Sequence, residues 1–366
     1  MEKKIISILV FFLAIGLMIM PVQGEGLNLS GSSFVLMEEE SGRILIDKDS
    51  QKRMPMASTT KIMTALIGLE NGNLNDKVLI DGESATIEGS SIYLQEGELI
   101  KLKDLIYGLM LRSGNDAATA IAKHIAGSED EFVLMMNKRA KEIGTKNTEF
   151  ANPHGLSQKN HYSTAYDLAL ITREAMKNSD FRDIFNCKTY TAQRDKNSYF
   201  INKNKTLWEY EGGDGGKTGY TMEAGRCLVS SAKRNGMRLI AVSLNARNWF
   251  NDNYQLLDYG FEKYSPYMVY NKNQLIDKIK IPNGYEKLNI VTSKELFYPL
   301  KDDEKKEIKV KVSINEDLKA PIERGESVGN IETYLKGVLI RKDPLVARNS
   351  VRREGIFQKI IQRISQ

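Results

Sequence analysis

The stretch that decides the fold reads PMASTTKIMTA over residues 55–65. From Ser58 to Glu70 the apolar residues recur at helical spacing, which predicts a helix. Residues three apart on a helix share a face, so the ammonium of Lys61 would lie within reach of the Ser58 hydroxyl. A serine hydroxyl is a poor nucleophile until its proton is removed, and a lysine with a lowered pKa can remove it. The stretch therefore predicts a nucleophile and its base at the start of a helix, where free N–H groups favour developing negative charge.

The S-x-x-K spacing is weak evidence by itself, because the chain contains it twice. Residues 230–233 read SSAK, but they fall in a predicted strand. Side chains three apart on a strand point to opposite faces, so Ser230 and Lys233 would not meet. The catalytic interpretation of Ser58 therefore depends on other motifs that could complete the same cleft.

The second motif is LRSGNDA over residues 111–117, at the break between helical patterns that cover 102–111 and 116–126. A serine hydroxyl and an asparagine amide at such a break can both point into a cleft, which makes Ser113 and Asn115 candidates for a site. The same residue types are ordinary helix caps, and from this motif alone that interpretation stays open.

The third motif is DGGKTGYT over residues 214–221, which precedes two predicted strands separated by RNG at 234–236. A lysine and a hydroxyl on the edge of a strand, here Lys217 and Thr218, can hold a carboxylate. Gly219 lacks a side chain and lets another backbone approach closely. The motif predicts an anion-binding strand edge.

S-x-x-K, S-x-N and K-T-G in this order mark the penicillin-binding proteins and class A β-lactamases. With these motifs and NPHGL at residues 152–156, the chain resembles the D-alanyl-D-alanine carboxypeptidases, the low-molecular-mass penicillin-binding proteins, over nearly its whole length. The resemblance implies an α/β (α+β) penicillin-binding/β-lactamase-like domain, with an antiparallel sheet and a helical cluster. A small all-β domain would follow it.

The resemblance also implies a serine-type carboxypeptidase that removes the terminal D-alanine from peptidoglycan stem pentapeptides and is inhibited by β-lactams. Ser58 would attack the D-Ala-D-Ala peptide bond and form an acyl-enzyme, and Lys61 would accept its proton. Ser113 would relay a proton to the leaving D-alanine. The reaction needs no cofactor and no metal.

The resemblance further implies a set of substrate-binding residues. Asn115 would hold a substrate amide, Lys217 and Thr218 would orient the terminal carboxylate, and the N–H groups of Ser58 and Tyr220 would form an oxyanion hole. The family's second carboxylate anchor is an arginine just before the helix at residue 250, where this chain has Trp249. The predicted binding residues are Asn115, Lys217, Thr218, Gly219, Tyr220 and, as a candidate for that anchor, Arg247.

Periodicity predicts how the rest of the chain is organised. Short apolar runs at 33–37 and 43–46, separated by charges and a glycine, predict a β-hairpin. A helical pattern over 250–263 ends the predicted peptidase domain, which we place at residues 25–264. Beyond it, residues 265–340 alternate β-branched residues with polar turns and predict a small all-β domain.

The N-terminus has the layout of a secretory signal peptide over residues 1–24. Lys3 and Lys4 precede an apolar stretch at 5–20, which is short for a membrane span. Cleavage is the favoured interpretation and retention as an anchor the alternative. Either way we expect export, to the outer face of the cytoplasmic membrane.

Residues 341–366 form a basic segment, with seven basic residues against two acidic ones. The apolar residues Ile356, Phe357, Ile360, Ile361 and Ile364 fall on one helical face. We expect an amphipathic tail that binds an anionic membrane surface. The alternative is a basic helix packed on the β domain.

Composition excludes several classes of protein. The 366 residues are 41% hydrophobic and 27% charged, so the chain can bury a core and is not mainly disordered. The net charge of +5 resides in the basic tail, which does not suit a nucleic-acid binder. Two cysteines, Cys187 and Cys227, exclude a disulfide scaffold but leave one pairing open. The three histidines, His124, His154 and His161, form no triad and are interpreted as structural.

Three alternative functions compete with the carboxypeptidase interpretation. A class A β-lactamase would need an additional glutamate motif, Pro-Glu-x-x-Asn, which is missing between Asn115 and Lys217. A wall-binding protein with a dead site would have lost Ser58 or Lys61, and both are present. A DD-endopeptidase would use the same residues, so this alternative stays open.

Overall fold

The computed structural model describes residues 27–354, and these residues fold in two parts. We call residues 27–264 the first part and residues 265–354 the β part. The predicted signal peptide at 1–24 and the amphipathic end of the tail at 355–366 lie outside the described residues. The strands are β1 (Gly31–Glu38), β2 (Ile44–Lys48), β3 (Lys77–Leu79), β4 (Leu99–Lys101), β5 (Thr189–Thr191), β6 (Tyr199–Ile201), β7 (Gly213–Thr221), β8 (Gly225–Arg234), β9 (Met237–Ala246), β10 (Ser265–Tyr270), β11 (Leu275–Lys280), β12 (Lys287–Thr292), β13 (Leu296–Leu300), β14 (Ile308–Ile314), β15 (Ser327–Leu335) and β16 (Val338–Ala347).

The first part is built on one antiparallel sheet with strand order β2-β1-β9-β8-β7. The predicted hairpin forms its far edge, as β1 and β2, and β7 forms the other edge. The sheet is buried on both faces. On β1, Val35 and Met37 pack into the core that the sheet shares with the helical cluster, while Leu36 packs on the other face with Leu256. The predicted antiparallel sheet with a helical cluster is confirmed.

Most helices lie on one face of this sheet, and the last of the first part lies on the other. The helices are α1 (Lys61–Asn71), α2 (Gly82–Thr86), α3 (Leu102–Tyr107), α4 (Asn115–Ala126), α5 (Glu129–Ile143), α6 (Ala165–Ala175), α7 (Ser179–Phe185), α8 (Thr206–Glu209) and α9 (Trp249–Lys263). Side-chain caps from Ser128, Thr164 and Asn178 begin α5, α6 and α7, since each accepts a backbone N–H of the first turn. Helix α1 is buried on every side from Lys61 to Gly68, so it is the centre of the cluster.

Two irregular turns depart from the predicted helices, and both lie beside the motifs. The helix predicted from Ser58 begins as a 3₁₀ turn over Ala57–Thr60 and becomes α-helical only at Lys61. The helix predicted over 102–111 ends early, because a π-helical turn over Gly108–Arg112 replaces its last part. Such turns are frequently found at functional sites, where they redirect a side chain.

The β part contains a five-stranded antiparallel sheet of order β11-β12-β16-β15-β14, and β10 pairs with β13. Its core is separate from that of the first part and is built around Leu288, Val328 and Leu345, each fully buried. The prediction that a small all-β domain follows the first part is confirmed.

The predicted end of the β domain at residue 340 is wrong. Strand β16 continues to Ala347, and Val351 still pairs with Ile322, because the turn at Lys336 and Gly337 feeds a full-length strand back along β15. Two basic residues assigned to the tail belong to this sheet and form ion pairs there. Arg341 pairs with Asp343 at 3.0 Å and Lys342 with Glu332 at 2.9 Å.

Arg43 of the first part forms the main polar link to the β part. Its guanidinium binds Glu304 at 2.8 Å and the carbonyl of Pro299 at 2.5 Å. The same group lies over two rings, 5.1 Å from the centroid of Tyr264 and 5.3 Å from that of Tyr298. The short loop after β1 therefore carries a cation that both parts enclose.

Cys187 and Cys227 are both free thiols, so the pairing that the sequence left open does not occur in this structure. Cys227 is buried on β8 and Cys187 is half-buried. Between residues 27 and 354, none of the helices is both long enough and apolar enough to span a bilayer.

Candidate active site

Ser58 lies half-buried in the 3₁₀ turn that leads into α1, with its hydroxyl facing Lys61. The distance from Lys61 Nζ to Ser58 Oγ is 3.1 Å, so the predicted nucleophile and base are in hydrogen-bond contact. The preceding residue, Ala57, has a φ of +47°. A non-glycine residue in such a conformation costs about 1–3 kcal/mol and persists only where its surroundings hold it.

Lys61 is fully buried and has no carboxylate among its hydrogen-bond partners in the described chain. Its ammonium donates to Asn115 Oδ1 at 2.7 Å and to the carbonyl oxygen of His154 at 2.5 Å. Burial is the largest cause that holds the pKa of Lys61 far below its usual value, and the nearby charge of Lys217 adds to it. The neutral amine, which can accept a proton, is therefore accessible.

Ser113 and Lys217 meet on the opposite side of the same cleft. Ser113 follows the π-helical turn and takes a left-handed conformation, with φ of +64°. The Lys217 ammonium, which is 1% exposed, donates to Ser113 Oγ at 3.0 Å and to the carbonyl of Thr218 at 2.9 Å. Burial, followed by the charge of Lys203, lowers the pKa of Lys217 to about 7.

Two glycines let the backbone close around the nucleophile. A Cβ on Gly219 of β7 would lie only 2.9 Å from the Ser58 nitrogen, so a side chain there would push the strand away from the 3₁₀ turn. A Cβ on Gly155 would lie 2.1 Å from the Ala57 carbonyl oxygen, and Gly155 has a φ of +91°. The close approach predicted for Gly219 is present, and the NPHGL turn at 152–156 supplies a second one.

Asn115, at the start of α4, has both ends of its amide engaged. Its Oδ1 accepts from Lys61, and its Nδ2 donates to the carbonyl of Glu88 at 2.6 Å. The sequence predicted a contact with substrate and missed this contact with the base. Asn115 therefore positions Lys61 as well as bordering the cleft.

A family model described as D-alanyl-D-alanine carboxypeptidase matches residues 21–248, and one described as penicillin-binding protein 5, C-terminal domain, matches 264–353. The chain belongs to the D-alanyl-D-alanine carboxypeptidase family. It is a serine hydrolase, and the predicted D-Ala-D-Ala carboxypeptidase function in the cell wall is confirmed; the endopeptidase and β-lactamase alternatives are not favoured.

Individual relatives support the same family over most of the chain. The D-alanyl-D-alanine carboxypeptidase DacF of Bacillus subtilis is 37% identical over 337 residues, covering 89% of this chain and 87% of the relative. The DacA enzyme of Escherichia coli K12 is 31% identical, covering 92% and 87%. The crystal structure of penicillin binding protein 5 from Haemophilus influenzae has a TM-score of 0.76 at 28% identity, covering 90% and 100%.

The remaining residues that this carboxypeptidase was predicted to use for binding lie at the C-terminal end of β7. Thr218 is half-buried, while Tyr220 is 61% exposed and stands opposite Arg226 on β8. Arg247 is exposed and lines a shallow depression together with Tyr220 and Arg226. The structure thus places Arg247 near the strand end.

Arg226, which the sequence did not indicate, lies beside Arg247 and Trp249. Its guanidinium donates to the carbonyl of Arg247 at 2.9 Å and lies 5.9 Å from the ring centroid of Trp249. Trp249 is the first residue of α9, where the family's arginine was expected. The sequence contained only one signal for Arg226, a charged residue between Gly225 and the apolar run of β8.

Two of the three histidines of this carboxypeptidase bind backbone and hydroxyl groups, and the third contacts a carboxylate. His154 Nδ1 accepts from the N–H of Leu156 at 3.2 Å, and the buried His161 contacts Thr60 Oγ1 at 2.8 Å. His124 lies on α4 and contacts Asp76 at 3.3 Å. Burial, with the charge of Lys61, lowers the pKa of His154 to about 3 and of His161 to about 4, so both rings are neutral. Within residues 27–354 no cluster of His, Cys, Asp and Glu is suited to a metal ion.

The second S-x-x-K sequence does not form a site. Ser230 is fully buried on β8 and its hydroxyl lies 2.9 Å from that of Thr206, whereas Lys233 is exposed. The prediction that these two side chains point to opposite faces is confirmed.

Proposed function

We propose that this carboxypeptidase removes the terminal D-alanine of peptidoglycan stem pentapeptides through an acyl-enzyme on Ser58. The observation that carries the proposal is the buried contact between Ser58 and Lys61. An amine that burial keeps partly neutral, 3.1 Å from a serine hydroxyl, is a base in place to remove its proton.

In the acylation step, Lys61 takes the proton of Ser58 Oγ as this oxygen attacks the carbonyl carbon of the D-Ala-D-Ala bond. The tetrahedral intermediate carries its negative charge on the former carbonyl oxygen. The backbone N–H groups of Ser58 and Tyr220 would bind this oxygen, and the close approach of Gly219 to the Ser58 nitrogen supports that pairing.

The leaving D-alanine needs a proton on its nitrogen before it can depart. Ser113 is suited to deliver it, because its hydroxyl contacts the Lys217 ammonium at 3.0 Å. In the net reaction the amine gains the proton that Lys61 took from Ser58 Oγ, which leaves Lys61 neutral for the next step. Water would then attack the ester, with Lys61 again as the base, and release the shortened peptide.

The terminal carboxylate of the substrate would bind at Lys217 and Thr218. Because burial lowers the pKa of Lys217 to about 7, a bound carboxylate would stabilise its protonated form. Arg247 is proposed as an additional anchor at the end of β7, and Asn115 as a contact for a substrate amide. β-Lactams carry an equivalent carboxylate and would acylate Ser58 by the same steps.

The test is to label the enzyme with a β-lactam and locate the adduct by peptide mass spectrometry. We expect the adduct on Ser58 and its complete loss in Ser58→Ala. Ser230→Ala is the matched control, because it removes the serine of the second S-x-x-K sequence and should leave labelling intact. An adduct on Ser113 or Ser230 would contradict the assignment.

We further propose that the enzyme is exported and that its C-terminal segment binds the anionic outer face of the cytoplasmic membrane. Since Arg341 and Lys342 are paired within the β part, the proposed membrane segment begins after the last described residue, at 355. The mature protein should sediment with anionic vesicles more than with neutral ones, and removal of residues 355–366 should release it. Equal binding without these residues would contradict the anchor.

A further inference from the structure

The peptide bond between Ala57 and Ser58 carries the N–H to which the proposed mechanism assigns the oxyanion. Ala57 itself has a φ of +47°, although it is not a glycine. The plane of the Ala57–Ser58 peptide is set by the ψ of Ala57 and the φ of Ser58, and a flip about these two bonds would turn the Ser58 N–H away from the cleft. Something around Ala57 must therefore select this conformation.

A chain of three hydrogen bonds ends on this peptide. The Thr60 hydroxyl donates to the Ala57 carbonyl at 2.8 Å, and His161 Nε2 lies 2.8 Å from the same hydroxyl oxygen. On the other side of the ring, His161 Nδ1 accepts from the N–H of Ala151 at 3.0 Å. The chain thus connects the loop before the NPHGL turn to the residue before the nucleophile.

The direction of donation along these three hydrogen bonds is determined by the groups at the two ends. The Ala151 N–H can only donate, so Nδ1 of the neutral imidazole must accept and Nε2 must carry the proton. His161 then donates to Thr60 Oγ1, which leaves the Thr60 proton free to point at the Ala57 carbonyl. Thr60 is fully buried and His161 is 5% exposed, so water does not compete for these bonds.

Packing holds the same peptide from another side. Gly155 lies so close that a Cβ there would be 2.1 Å from the Ala57 oxygen and 2.9 Å from the Ser58 nitrogen. Rotation of the peptide would require Gly155 to move as well. Gly155 is itself fixed, because its N–H donates to Asn152 Oδ1 at 2.7 Å.

We propose that His161 is a positioning residue that acts through Thr60 to hold the Ala57–Ser58 peptide with its N–H toward the cleft. This inference rests on the proposed function, since it explains how one donor of the oxyanion hole is preorganised. The ring nitrogens of His161 bind Thr60 and the N–H of Ala151 and not Ser58 Oγ, so its effect is confined to the geometry of the donor.

The test combines kinetics with infrared spectroscopy of the β-lactam acyl-enzyme. A hydrogen bond from the oxyanion hole lowers the stretching frequency of the ester carbonyl, so loss of the donor raises it. For Thr60→Val and His161→Phe we expect acylation about 10- to 100-fold slower, below the 10²–10³ lost when a donor is deleted outright. The ester band should shift to higher frequency, with the dissociation constant before acylation little changed.

Conservative variants provide the rescue. Thr60→Ser keeps the hydroxyl, and His161→Gln can accept from Ala151 through Oε1 and donate to Thr60 through Nε2. Both should retain the wild-type band and most of the acylation rate. If Thr60→Val does not fold, the comparison of His161→Phe with His161→Gln decides the question.

Thr172→Val is the matched control for simple loss of a buried hydroxyl. Thr172 is equally buried and donates to the carbonyl of Leu168 at 2.7 Å within α6. We expect it to lose thermal stability like Thr60→Val and to leave the ester band unmoved. An unmoved band in both Thr60→Val and His161→Phe would overturn the inference alone, whereas a wild-type enzyme with no ester on Ser58 would overturn the proposed function as well.

Discussion

The catalytic site of the first part and the contact between the two parts treat buried charge in opposite ways. In the first part, Lys61 and Lys217 are almost completely buried, and the groups they contact are amide, carbonyl and hydroxyl oxygens. In the β part, Glu304 is bound by Arg43 and Lys336. A buried charge without a counter-ion is costly, and evolution retains it where the shifted pKa performs chemistry.

Backbone strain also distinguishes the catalytic site from the β part. Ala57 and Ser113 have positive φ values, and each is next to or within a catalytic motif. In the β part, the described non-glycine residues with positive φ are Asn273, Asn283 and Lys336, and all three lie in turns between strands. We infer that the first part loses stability at the residues that perform its chemistry, whereas the β part follows ordinary folding rules.

The largest expected effect comes from removing Lys61, the general base whose hydrogen-bond partners include no carboxylate. Lys61→Ala should slow acylation by a β-lactam by about 10²–10⁴-fold or more, because a positioned general base contributes that much. The melting temperature should stay level or rise, because the substitution removes a buried amine that has no carboxylate partner. Stopped-flow acylation and thermal melts check the two outcomes, and a large loss of stability would contradict the comparison.

Acid should affect the two parts in different pH ranges. His154 and His161 have native pKa values of about 3 and about 4, against 6.5 in the unfolded chain, so the unfolded state binds protons first. Their contribution to stability is complete above pH 6.5 and is lost as the pH falls toward 4 and 3, on the order of 1.4 kcal/mol per unit of pKa shift. Glu304, with a native pKa lowered to about 2, loses its contribution only as the pH falls from 4.5 toward 2.

Tryptophan fluorescence can separate these two ranges. Both tryptophans, Trp208 and Trp249, lie in the first part, so their emission reports its unfolding alone. Hydrogen exchange of amides on β15 and β16 reports the β part. We expect the first part to weaken from about pH 6.5 downward while the β part stays protected. Simultaneous loss of both signals only below pH 4 would contradict the assignment of neutral histidines.

Breaking the charge pair between the two parts should have a smaller effect, and only on stability. Glu304→Ala leaves the Arg43 guanidinium without its carboxylate. We expect a loss of about 2 kcal/mol, below the 3–5 typical of a fully buried pair, because Arg43 keeps the Pro299 carbonyl and two aromatic rings. Lys305→Ala is the control, since its pair with Asp302 is exposed to solvent and should contribute little to stability. Acylation rates should match the wild type in both variants.

The smallest expected effect concerns substrate discrimination. Lys217→Ala should reduce the preference for a free terminal carboxylate over an amidated one by about tenfold, as expected for one charge-assisted hydrogen bond. Release of D-alanine, or of its amide, from the two peptides measures this ratio. If Lys61→Ala and Lys217→Ala changed the ratio equally, the division of roles between the two lysines would be wrong.

Much of this molecule could be predicted from local patterns. The hairpin of β1 and β2 followed from two apolar runs around a glycine, and α9 and the β part followed from their periodicity. The motifs S-x-x-K, S-x-N and K-T-G are short-range patterns that can be read from the sequence. They identify Ser58, Lys61, Ser113 and Lys217. The predicted boundary at residue 340 was wrong because the basic residues after it resemble a tail, and only pairing with β15 shows that they form a strand.

The tertiary structure alone decided how these motifs work together. The 3₁₀ turn before α1 and strand β7 are far apart in sequence, and their approach depends on Gly219 having no side chain. Gly155 in the same way lets the turn at residues 152–156 approach Ala57. The pKa values of Lys61 and Lys217 are lowered by burial, which depends on how the whole first part packs. The sequence determined by itself which groups could react and in which order they occur. Their protonation and orientation arise from long-range contacts, because desolvation and hydrogen-bond geometry are properties of the assembled core.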